Sequence, residues 1–361
     1  MDKILVYALS ENVGGVEEYV LNLSRYNSGK YYEYEYIILG SSSPYENEMR
    51  ELGVKYYFVT PKRHFLKNIR DYINLFKNGK RRYKAIYFNT SVLVYPIPYI
   101  LARIFGYPII LHSHSAGTNG LRKIIHLFNR SWVKRMCCLK FACSSLAGHW
   151  MFGEKNEDFV IIPNAIDLYR YKFNSNKRKE IRTQLGINDE IVLGHVGRLS
   201  SVKNQKYLLR ILEQAKKEGY NWKLLLVGDG EDELSLKEEV KLLGLTKDVY
   251  FYGRTSHTEW TLSAMDCFVM PSIVEGFPIS LVEAQASGLS CVVSDTITEE
   301  VNLLGNITFI SLQSTYMEWV NAINNISLVR NENINLLEKM GFDVFTIENL
   351  VGSKMKDGTE S

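Results

Sequence analysis

The sequence predicts two α/β domains, each built around a doubly wound parallel sheet. A length of 361 residues corresponds to two domains of ordinary size. Apolar residues make up 46% of the chain and charged residues 23%, a balance typical of globular proteins and not of disordered or fibrous ones. Short apolar runs of strand length alternate with helical patterns through both halves, as parallel sheets with crossover helices require. We place the domains at residues 1–170 and 171–330, followed by a tail, 331–361, that could pack back on the first domain.

The first half contains six short apolar runs that we interpret as strands. They lie at residues 3–9, 34–39, 54–59, 85–89, 108–111 and 141–143. The longest apolar stretch, residues 92–111, contains three prolines and Arg103. We therefore interpret it as a helix followed by a strand, and not as a membrane span. Because residues 3–9 are too short for a signal peptide, we expect a cytoplasmic protein.

Charge is distributed unevenly, although the net charge is only +3. Residues 1–170 carry 23 Lys and Arg against 14 Asp and Glu, whereas residues 171–361 carry 20 against 26. Within the first domain, residues 72–153 contain 12 basic and no acidic side chains. Such a block indicates an anionic partner for the first domain. We do not expect that partner to be a nucleic acid.

Two helical patterns in the first domain combine basic and apolar residues. Residues 62–84 hold nine Lys and Arg against one acid, Asp71, with apolar residues at helical spacing. Residues 121–136 again place five basic side chains among apolar ones. Two interpretations stay open for such helices. Each could pack its apolar face on the core and solvate its charges, or lie on a membrane surface.

The second half shows further apolar runs at residues 191–197, 223–227, 248–254, 267–270 and 292–295. The most informative stretch of the chain, residues 275–288, reads EGFPISLVEAQASG. Pro278 suits the first position of a helix and Gly288 the residue just past its end. The helix between them is apolar nearly all round and should be buried.

Two glutamates in this stretch, Glu275 and Glu283, need partners, because an unpaired buried carboxylate is unfavourable. A ligand rich in hydroxyl groups would supply such partners. The N–H groups at the start of the helix would favour a diphosphate. Strand, tight loop, buried helix and two acids together predict a site for a sugar nucleotide.

Two cations follow the strand at residues 191–197. Arg198 and Lys203 lie five positions apart and could both neutralise a diphosphate, although an exposed loop is the alternative. In the first domain, Gly14 and Gly15 open a helix whose start would favour an anion. That turn lacks the third glycine of the dinucleotide fingerprint, and a purely steric role for the glycines stays open.

A strand of the first domain ends in His112 and His114, where open α/β sheets place ligand groups. Solvated loop histidines are the alternative. We expect no metal site, because no Cys, Asp or Glu nearby completes a ligand set. The five cysteines show neither metal-ligand spacing nor a disulfide framework.

The pair Glu275 and Glu283, eight positions apart around Gly-Phe-Pro, resembles the signature of retaining glycosyltransferases of family 4. The loop at residues 197–204 (GRLSSVKN) and the segment at 163–167 (PNAID) extend the resemblance. Ala165 replaces the glycine usual there, which requires a backbone without positive φ. The resemblance covers residues 4–310 and is strongest in 190–295. It implies the GT-B fold, in which two Rossmann-like domains face an interdomain cleft.

The resemblance also implies roles for individual residues. Glu283 would bind the ribose hydroxyls, Glu275 would hold the transferred sugar, and one histidine, for which we favour His114, would contact that sugar. Catalytic roles fall on Glu275, His114, His112, Arg198 and Lys203. Donor-binding roles fall on Gly14, Gly15, Arg198, Lys203, Gly228, Arg254, Glu275, Gly276, Phe277, Pro278, Ile279 and Glu283.

These features lead us to expect a retaining glycosyltransferase that moves a hexose or N-acetylhexosamine from a nucleotide diphosphate, UDP above others, without a cofactor or metal. The expected acceptor is a lipid-diphosphate-linked saccharide at the inner face of the cell membrane, an anionic surface, in capsule, exopolysaccharide or O-antigen synthesis. One alternative is a sugar-nucleotide epimerase of the same fold, which would need carboxylates that residues 72–153 lack. The other is a non-catalytic sugar-nucleotide-binding subunit, which would usually have lost Glu275, Arg198 or Lys203.

Overall fold

A computed structural model describes residues 1–11, 14–115, 117–154 and 158–360. The chain divides into two compact units. The first unit consists of Met1–Ala165 and Asp343–Ser361, and the second of Ile166–Phe342. The division therefore falls five residues before the expected position at 170. Of the expected tail, residues 331–342 belong to the second unit.

Seven parallel strands form the sheet of the first unit in its described residues, in the order β3-β2-β1-β4-β5-β6-β7. Their bounds are β1 (Asp2–Ser10), β2 (Tyr32–Leu39), β3 (Tyr56–Val59), β4 (Tyr83–Thr90), β5 (Ile109–Ser113), β6 (Cys137–Ala142) and β7 (Val160–Ile161). All six predicted strands are confirmed, but the start of β6 was predicted four residues too late. Leu139 and Lys140 already pair with Ile110 and Leu111 of β5, although Lys140 interrupts the apolar run.

The helices of the first unit cover both faces of this sheet. They are α1 (Gly15–Arg25), α2 (Glu46–Glu51), α3 (Phe65–Gly79), α4 (Ile97–Ile104), α5 (Gly120–Val133), α6 (Ser145–Phe152) and a C-terminal helix (Val344–Glu360). One core contains α1, α2 and the C-terminal helix, whereas the other contains residues of α3, α4, α5 and α6. The predicted helix-then-strand in residues 92–111 is confirmed by α4 and β5. Among the described residues, no helix is both long and apolar enough to cross a membrane.

The sheet of the second unit has six parallel strands in the order β10-β9-β8-β11-β12-β13, counted over the described residues. The strands are β8 (Ile191–Val196), β9 (Trp222–Val227), β10 (Val249–Gly253), β11 (Cys267–Met270), β12 (Ser290–Ser294) and β13 (Ile307–Ile310). The helices are α7 (Ser175–Leu185), α8 (Gln205–Lys217), α9 (Glu233–Leu242), α10 (Thr258–Ala264), α11 (Ile279–Ala286), α12 (Tyr316–Asn324) and α13 (Ile334–Lys339), with a 3-10 turn at Glu299–Val301. The sequence pattern did not reveal β13, a four-residue edge strand interrupted by Thr308.

The ends of α11 test the prediction for residues 275–288. Gly288 lies just past the helix with φ +74°, a conformation that favours glycine, so this prediction is confirmed. Pro278, predicted as the first helical residue, is instead the cap residue before it. Its ψ of 115° is extended, while its carbonyl accepts from the N–H of Leu281 at 3.1 Å. Ala165 has no positive φ, since Asn204 is the one non-glycine residue with positive φ in the described part of the chain.

Each sheet reverses its direction of winding at one point. In the first unit the chain moves outward from β1 to β3 and then returns to place β4 on the other side of β1. In the second unit β8 and β11 are neighbours for the same reason. In open α/β sheets, ligands bind outside the carboxyl ends of the strands at such switch points. The loops after β1 and β4 in the first unit, and those after β8 and β11 in the second, are therefore the expected ligand-binding positions.

Candidate active site

The switch point of the second unit brings together two of the predicted site residues. Lys203 lies in the loop after β8, and Glu275 in the loop after β11. Lys203 Nζ lies 2.6 Å from Glu275 Oε1, and both side chains are largely shielded from solvent. Opposite charges attract more strongly where water is partly excluded. A cation and a carboxylate are thus held side by side where the fold is expected to bind its ligand.

A buried network fixes the loop that carries Lys203. Nδ1 of His195 lies 2.9 Å from the carbonyl of Val269. Because a carbonyl only accepts, Nδ1 carries the proton, and the second ring nitrogen accepts from Gln205 Nε2 at 3.2 Å. Gln205 Nε2 also donates to the carbonyl of Arg198 at 2.8 Å, and its Oε1 accepts from the N–H of Ser200 at 3.2 Å. Burial lowers the pKa of His195 to about 4, which keeps the ring neutral, as this network requires.

Further contacts join the loops after β8 and β11. Asn204 has a left-handed backbone with φ 57°, and its side-chain amide donates to the carbonyl of Pro271 at 3.1 Å. The N–H of Ile273 donates to the carbonyl of Val202 at 2.8 Å. Lys203 lies between Val202 and Asn204, so both of its neighbours are tied to the loop that presents Glu275. The position of the ion pair is therefore set by the backbone and not only by the two side chains.

Arg198 is held differently from Lys203. Its Nε lies 2.8 Å from Glu231 Oε2, and both side chains are more than half exposed. The structure thus pairs the two predicted cations with different carboxylates. An exposed pair of this kind contributes little stability. Arg198 can therefore exchange its carboxylate for a ligand anion at a small free-energy cost.

Gly228 and Arg254 follow the strands on the other side of β8. A Cβ atom at Gly228 would lie 2.1 Å from the carbonyl oxygen of Gly197, so a larger residue would push the two loops apart. Arg254 directly follows β10 at the same edge of the sheet, with an exposed side chain. Both predicted residues therefore lie at the carboxyl edge of the sheet. Packing requires a glycine at position 228, whereas the side chain of Arg254 is open to solvent.

Glu283 lies within α11 and has a protein partner. The hydroxyl of Tyr171 donates to Glu283 Oε1 at 2.9 Å and lies 3.2 Å from Thr258 Oγ1. Burial raises the pKa of Tyr171 well above its ordinary value, so the phenol stays a donor. In the loop before α11, the buried ring of Phe277 stacks on Phe342 at 5.6 Å. This packing anchors the segment that also contains Gly276, Pro278 and Ile279.

In the first unit, both predicted histidines lie at the carboxyl end of β5. His112 Nδ1 lies 2.6 Å from the hydroxyl of Tyr87. His114 lies between two asparagine side chains, with Nδ1 3.0 Å from the amide of Asn164 and Nε2 3.0 Å from the amide of Asn89. A neutral ring has one N–H, so one of these amides accepts from it and the other donates to it through its NH2 group. The interpretation of these residues as solvated loop histidines is therefore wrong.

The two histidines differ in how far solvent reaches them. His112 is 0% exposed and His114 is 8% exposed. Burial lowers the pKa of His112 well below its ordinary value and that of His114 to about 4, so both rings are neutral at pH 7. Of these two rings, His114 is the one that a ligand can reach. His112 lies behind it, with the ring centroids 4.1 Å apart.

The glycines after β1 lie at the switch point of the first unit. Gly14 is the cap residue of α1, with an extended backbone, and Gly15 begins the helix. Asn12 and Val13 of the same predicted turn lie outside the described residues. A Cβ atom at Gly14 would lie 2.9 Å from Glu17 Oε2, and Glu17 accepts from Ser10 Oγ at 2.9 Å. A larger residue at position 14 would therefore require the side chain of Glu17 to move.

Sequence reasoning missed the partners of the predicted residues. The sequence patterns indicate no site role for Asn89, Asn164, Tyr171 or Gln205. For Asn89 a positional signal existed, because it lies near the carboxyl end of a predicted strand. Tyr171 is 112 positions from Glu283, and no local pattern joins them. No group of three or more metal-ligating side chains is found within the described ranges.

Comparison with protein families gives two adjoining matches. The family model for Glycosyltransferase Family 4 matches residues 13–170. The model for Glycosyl transferases group 1 matches residues 177–335. EpsF of Bacillus subtilis (strain 168), which bears the name of a glycosyltransferase, is 32% identical over 328 residues, which cover 86% of this chain and 84% of EpsF.

A galactosyltransferase of Escherichia coli, the UDP-Gal:alpha-D-GlcNAc-diphosphoundecaprenol alpha-1,3-galactosyltransferase, is 26% identical over 243 residues. These residues cover 64% of this chain and 62% of that enzyme. Among solved structures, Anabaena Alr3699/HepE in complex with UDP-glucose superposes with a TM-score of 0.83 at 21% identity, covering 98% of this chain and 99% of that one. Sucrose-phosphate synthase from Thermosynechococcus elongatus gives a TM-score of 0.79 at 18% identity, with 99% of both chains covered.

Proposed function

The chain belongs to the family 4 glycosyltransferases of the bacterial polysaccharide type and has the GT-B fold, and on that premise we propose its donor, acceptor and site residues. The donor is a nucleotide diphosphate sugar, UDP-linked above others, and the group moved is a hexose or N-acetylhexosamine. The pair formed by Lys203 and Glu275 carries this proposal, because it places a cation and a carboxylate at one switch point. UDP-glucose bound to the similarly folded Anabaena protein adds support for a UDP-linked donor.

Lys203 neutralises the diphosphate as it leaves. It is held 2.6 Å from Glu275, and its loop is tied down on both sides. A preorganised charge needs no rearrangement when negative charge develops, which is what makes such groups effective in catalysis. Arg198 supplies a second positive charge by exchanging Glu231 for a phosphate oxygen.

Glu275 and Glu283 bind different parts of the donor. Glu275, with the N–H groups of Gly276, Phe277 and Ile279, holds the hydroxyls of the transferred sugar. Glu283 binds the ribose, and Tyr171 orients its carboxylate through their 2.9 Å hydrogen bond. Arg254 and the backbone beside it lie near the base, and Gly228 lets the neighbouring loop approach the diphosphate.

In the first unit, His114 contacts the transferred sugar and His112 positions it. This division rests on exposure, since His112 is 0% exposed and His114 is 8% exposed. Both rings are neutral at pH 7, so His114 acts as a hydrogen-bonding group and not as a cation. Gly14 and Gly15, at the start of α1, bind the donor phosphates through backbone N–H groups in this proposal.

The reaction breaks the bond between the anomeric carbon and the diphosphate oxygen. A new bond forms from an acceptor hydroxyl oxygen on the same face of the sugar, and the hydroxyl proton passes to the departing diphosphate. The anomeric configuration is therefore retained. We propose that no metal ion is needed, because Lys203 and Arg198 supply the positive charge. If so, a chelator such as EDTA will leave the rate unchanged.

For the acceptor we propose a lipid-diphosphate-linked saccharide at the inner face of the cell membrane, in capsule, exopolysaccharide or O-antigen synthesis. The name of the Escherichia coli relative describes an acceptor of this chemistry, which supports the proposal. The basic block at residues 72–153 adds support, since its 12 cations would attract a diphosphate lipid and the membrane that holds it.

The test incubates the purified protein with a panel of UDP-hexoses and a short polyprenyl-diphosphate saccharide, then identifies the glycolipid and its anomeric configuration by NMR. A new glycolipid with retained configuration supports the proposal. Conversion of the UDP-hexose to its epimer without acceptor would favour a sugar-nucleotide epimerase. Binding without turnover across the panel would favour a non-catalytic subunit.

A further inference from the structure

Helix α5 buries polar side chains beside Val133 and exposes several large apolar ones. Its buried side chains include two polar ones, His126 and Asn129. His126 Nδ1 accepts from the N–H of Leu93 at 3.0 Å, and Asn129 donates to the carbonyl of Leu93 at 2.7 Å. The ring of His126 also stacks on Trp150, with centroids 4.1 Å apart. Polar contacts therefore hold much of the inner face of this helix.

Large apolar side chains lie on the outer face of the same helix. Leu121 is 70% exposed, Ile124 is 67% exposed and Phe128 is 72% exposed. They recur at positions i, i+3 and i+7, so they share one side of the helix. Leu127 beside them is also exposed. This outer apolar face, defined here as Leu121, Ile124, Leu127 and Phe128, is the reverse of what a core-packed amphipathic helix presents.

The neighbouring helices extend this surface. Residues of α3, α4 and α5 pack into the same core, so these helices cover one face of the sheet. Phe65 and Leu66 at the start of α3 and Ile104 at the end of α4 are exposed as well. Single exposed apolar residues are ordinary, but several on one helical layer indicate a binding surface.

The charges around the outer apolar face identify its partner. Arg122 and Lys123 are exposed on α5, and Lys67, Arg70 and Arg103 are exposed on α3 and α4. No acid occurs anywhere in residues 72–153. A protein partner usually meets a surface of mixed charge, whereas an anionic bilayer attracts cations and accepts apolar side chains just below its headgroups.

We propose that the outer apolar face of α5 inserts into the interfacial region of an anionic lipid bilayer, with the surrounding lysines and arginines on the headgroups. This deepens the proposed function, because a lipid-linked acceptor lies in such a bilayer and α5 begins six residues after His114. The structural basis is independent of donor binding, since none of His126, Asn129 and the outer apolar face is among the residues proposed to bind the donor.

The test is co-sedimentation with extruded vesicles, without donor or acceptor. Wild-type protein should bind vesicles made of equimolar phosphatidylglycerol and phosphatidylcholine. It should not bind vesicles of pure phosphatidylcholine. The variant Leu121→Ser/Ile124→Ser/Phe128→Ser should partition at least tenfold more weakly, because each exposed side chain loses apolar burial in the bilayer. The matched control, Leu234→Ser/Leu242→Ser, removes equally exposed leucines from α9 in the second unit and should bind as wild type does.

Two further measurements keep the outcomes distinct. All three proteins should keep the same thermal unfolding midpoint and the same UDP affinity by calorimetry, since the changed side chains are exposed. The proposal is overturned if wild type stays in the supernatant, or if the triple variant binds as well as wild type. It is also overturned if sedimentation velocity shows a dimer of wild type that the triple variant abolishes, because the face would then join two copies of this chain. None of these results would affect the transferase activity proposed above.

Discussion

The two units hold their polar groups in opposite ways. At the switch point of the second unit, charges are paired, with Lys203 beside Glu275 and Arg198 beside Glu231. At the carboxyl end of β5 in the first unit, neutral side chains are hydrogen-bonded around His114, while the cations lie on outer helices in an acid-free stretch. The comparison indicates that charge chemistry is concentrated in the second unit and that the first unit offers neutral contacts and an anion-attracting surface.

The largest effect should come from Lys203. Replacing it with Ala should lower kcat about 100-fold or more, because removing one preorganised charge-stabilising group typically has that effect. The affinity for free UDP should change much less. Steady-state kinetics at saturating donor measure the loss. Lys206→Ala removes an exposed lysine three residues along the chain and serves as the matched control. A change confined to the apparent donor affinity would make Lys203 a binding residue only.

Substitutions of the two glutamates should affect UDP binding and sugar transfer separately. Glu283→Ala should weaken binding of free UDP about tenfold, since it removes the expected partner of the ribose. Glu275→Ala should bind UDP nearly as wild type does but transfer sugar slowly. Calorimetry with UDP alone distinguishes the two variants. Tyr171→Phe keeps the carboxylate of Glu283 and loses its 2.9 Å hydrogen bond, so a smaller loss is expected. Equal losses for both glutamate variants would contradict this division.

Much of this site was predictable from sequence because its signals are local. Arg198 and Lys203 directly follow a strand, and Glu275 precedes the helix that contains Glu283, so local patterns together with the family resemblance indicate these four residues. Their partners could not be predicted in this way. The hydrogen bond from Tyr171 to Glu283 spans 112 positions, and the contact of Asn164 with His114 spans 50. Such contacts depend on how strands and helices pack, which no window of sequence contains.

The two basic helices also show what the sequence pattern cannot predict. Both α3 and α5 have the sequence pattern of a basic amphipathic helix. Helix α3 buries Tyr72 and Phe76 in the core, as the core-packed interpretation requires. Helix α5, which the structure describes in full, places only Val133 in that core as a fully buried apolar residue, buries His126 and Asn129 beside it, and exposes Phe128. Composition could not decide between these orientations, because the outcome depends on hydrogen bonds to Leu93 and stacking on Trp150, residues outside the helix.

Acid should destabilise the first unit more than the second. Burial lowers the pKa of His114 and His126 in the first unit and of His195 in the second to about 4, and lowers that of His112 well below its ordinary value. An unfolded histidine has a pKa of about 6.5, so the unfolded chain takes up protons first as the pH falls. Stability is therefore complete above pH 6.5 and is lost towards pH 4. At pH 5 each such histidine should lower the unfolding free energy by about 2 kcal/mol.

Hydrogen exchange at pH 7.5 and pH 5 can follow the two units separately. Peptides from the core strands of the first unit should lose more of their opening free energy, because three buried histidines lie there against one. Comparable losses in both units would contradict the assignment of neutral, buried rings to the first unit.

The remaining prediction concerns α3 and binding to membranes, not sugar transfer. Reversing Lys67, Arg70 and Lys77 to Glu should weaken binding to anionic vesicles, since each cation near such a surface contributes about 1 kcal/mol. The loss should disappear in 1 M salt, where the Debye length falls to about 3 Å. UDP binding should be unchanged, as measured by calorimetry. If the triple variant binds vesicles as well as wild type does at low salt, the proposed membrane contact of α3 is wrong. Helix α3 is then only a core-packed helix with a solvated face.

A crystal structure with UDP bound tests the assignment of the second unit most directly. We expect the diphosphate at the carboxyl edge between β8 and β11, with a phosphate oxygen about 3 Å from Lys203 Nζ. The ribose should lie against Glu283, and Glu275 should be released towards the position of the sugar. A diphosphate bound elsewhere, with Lys203 still 2.6 Å from Glu275, would contradict the central assignment.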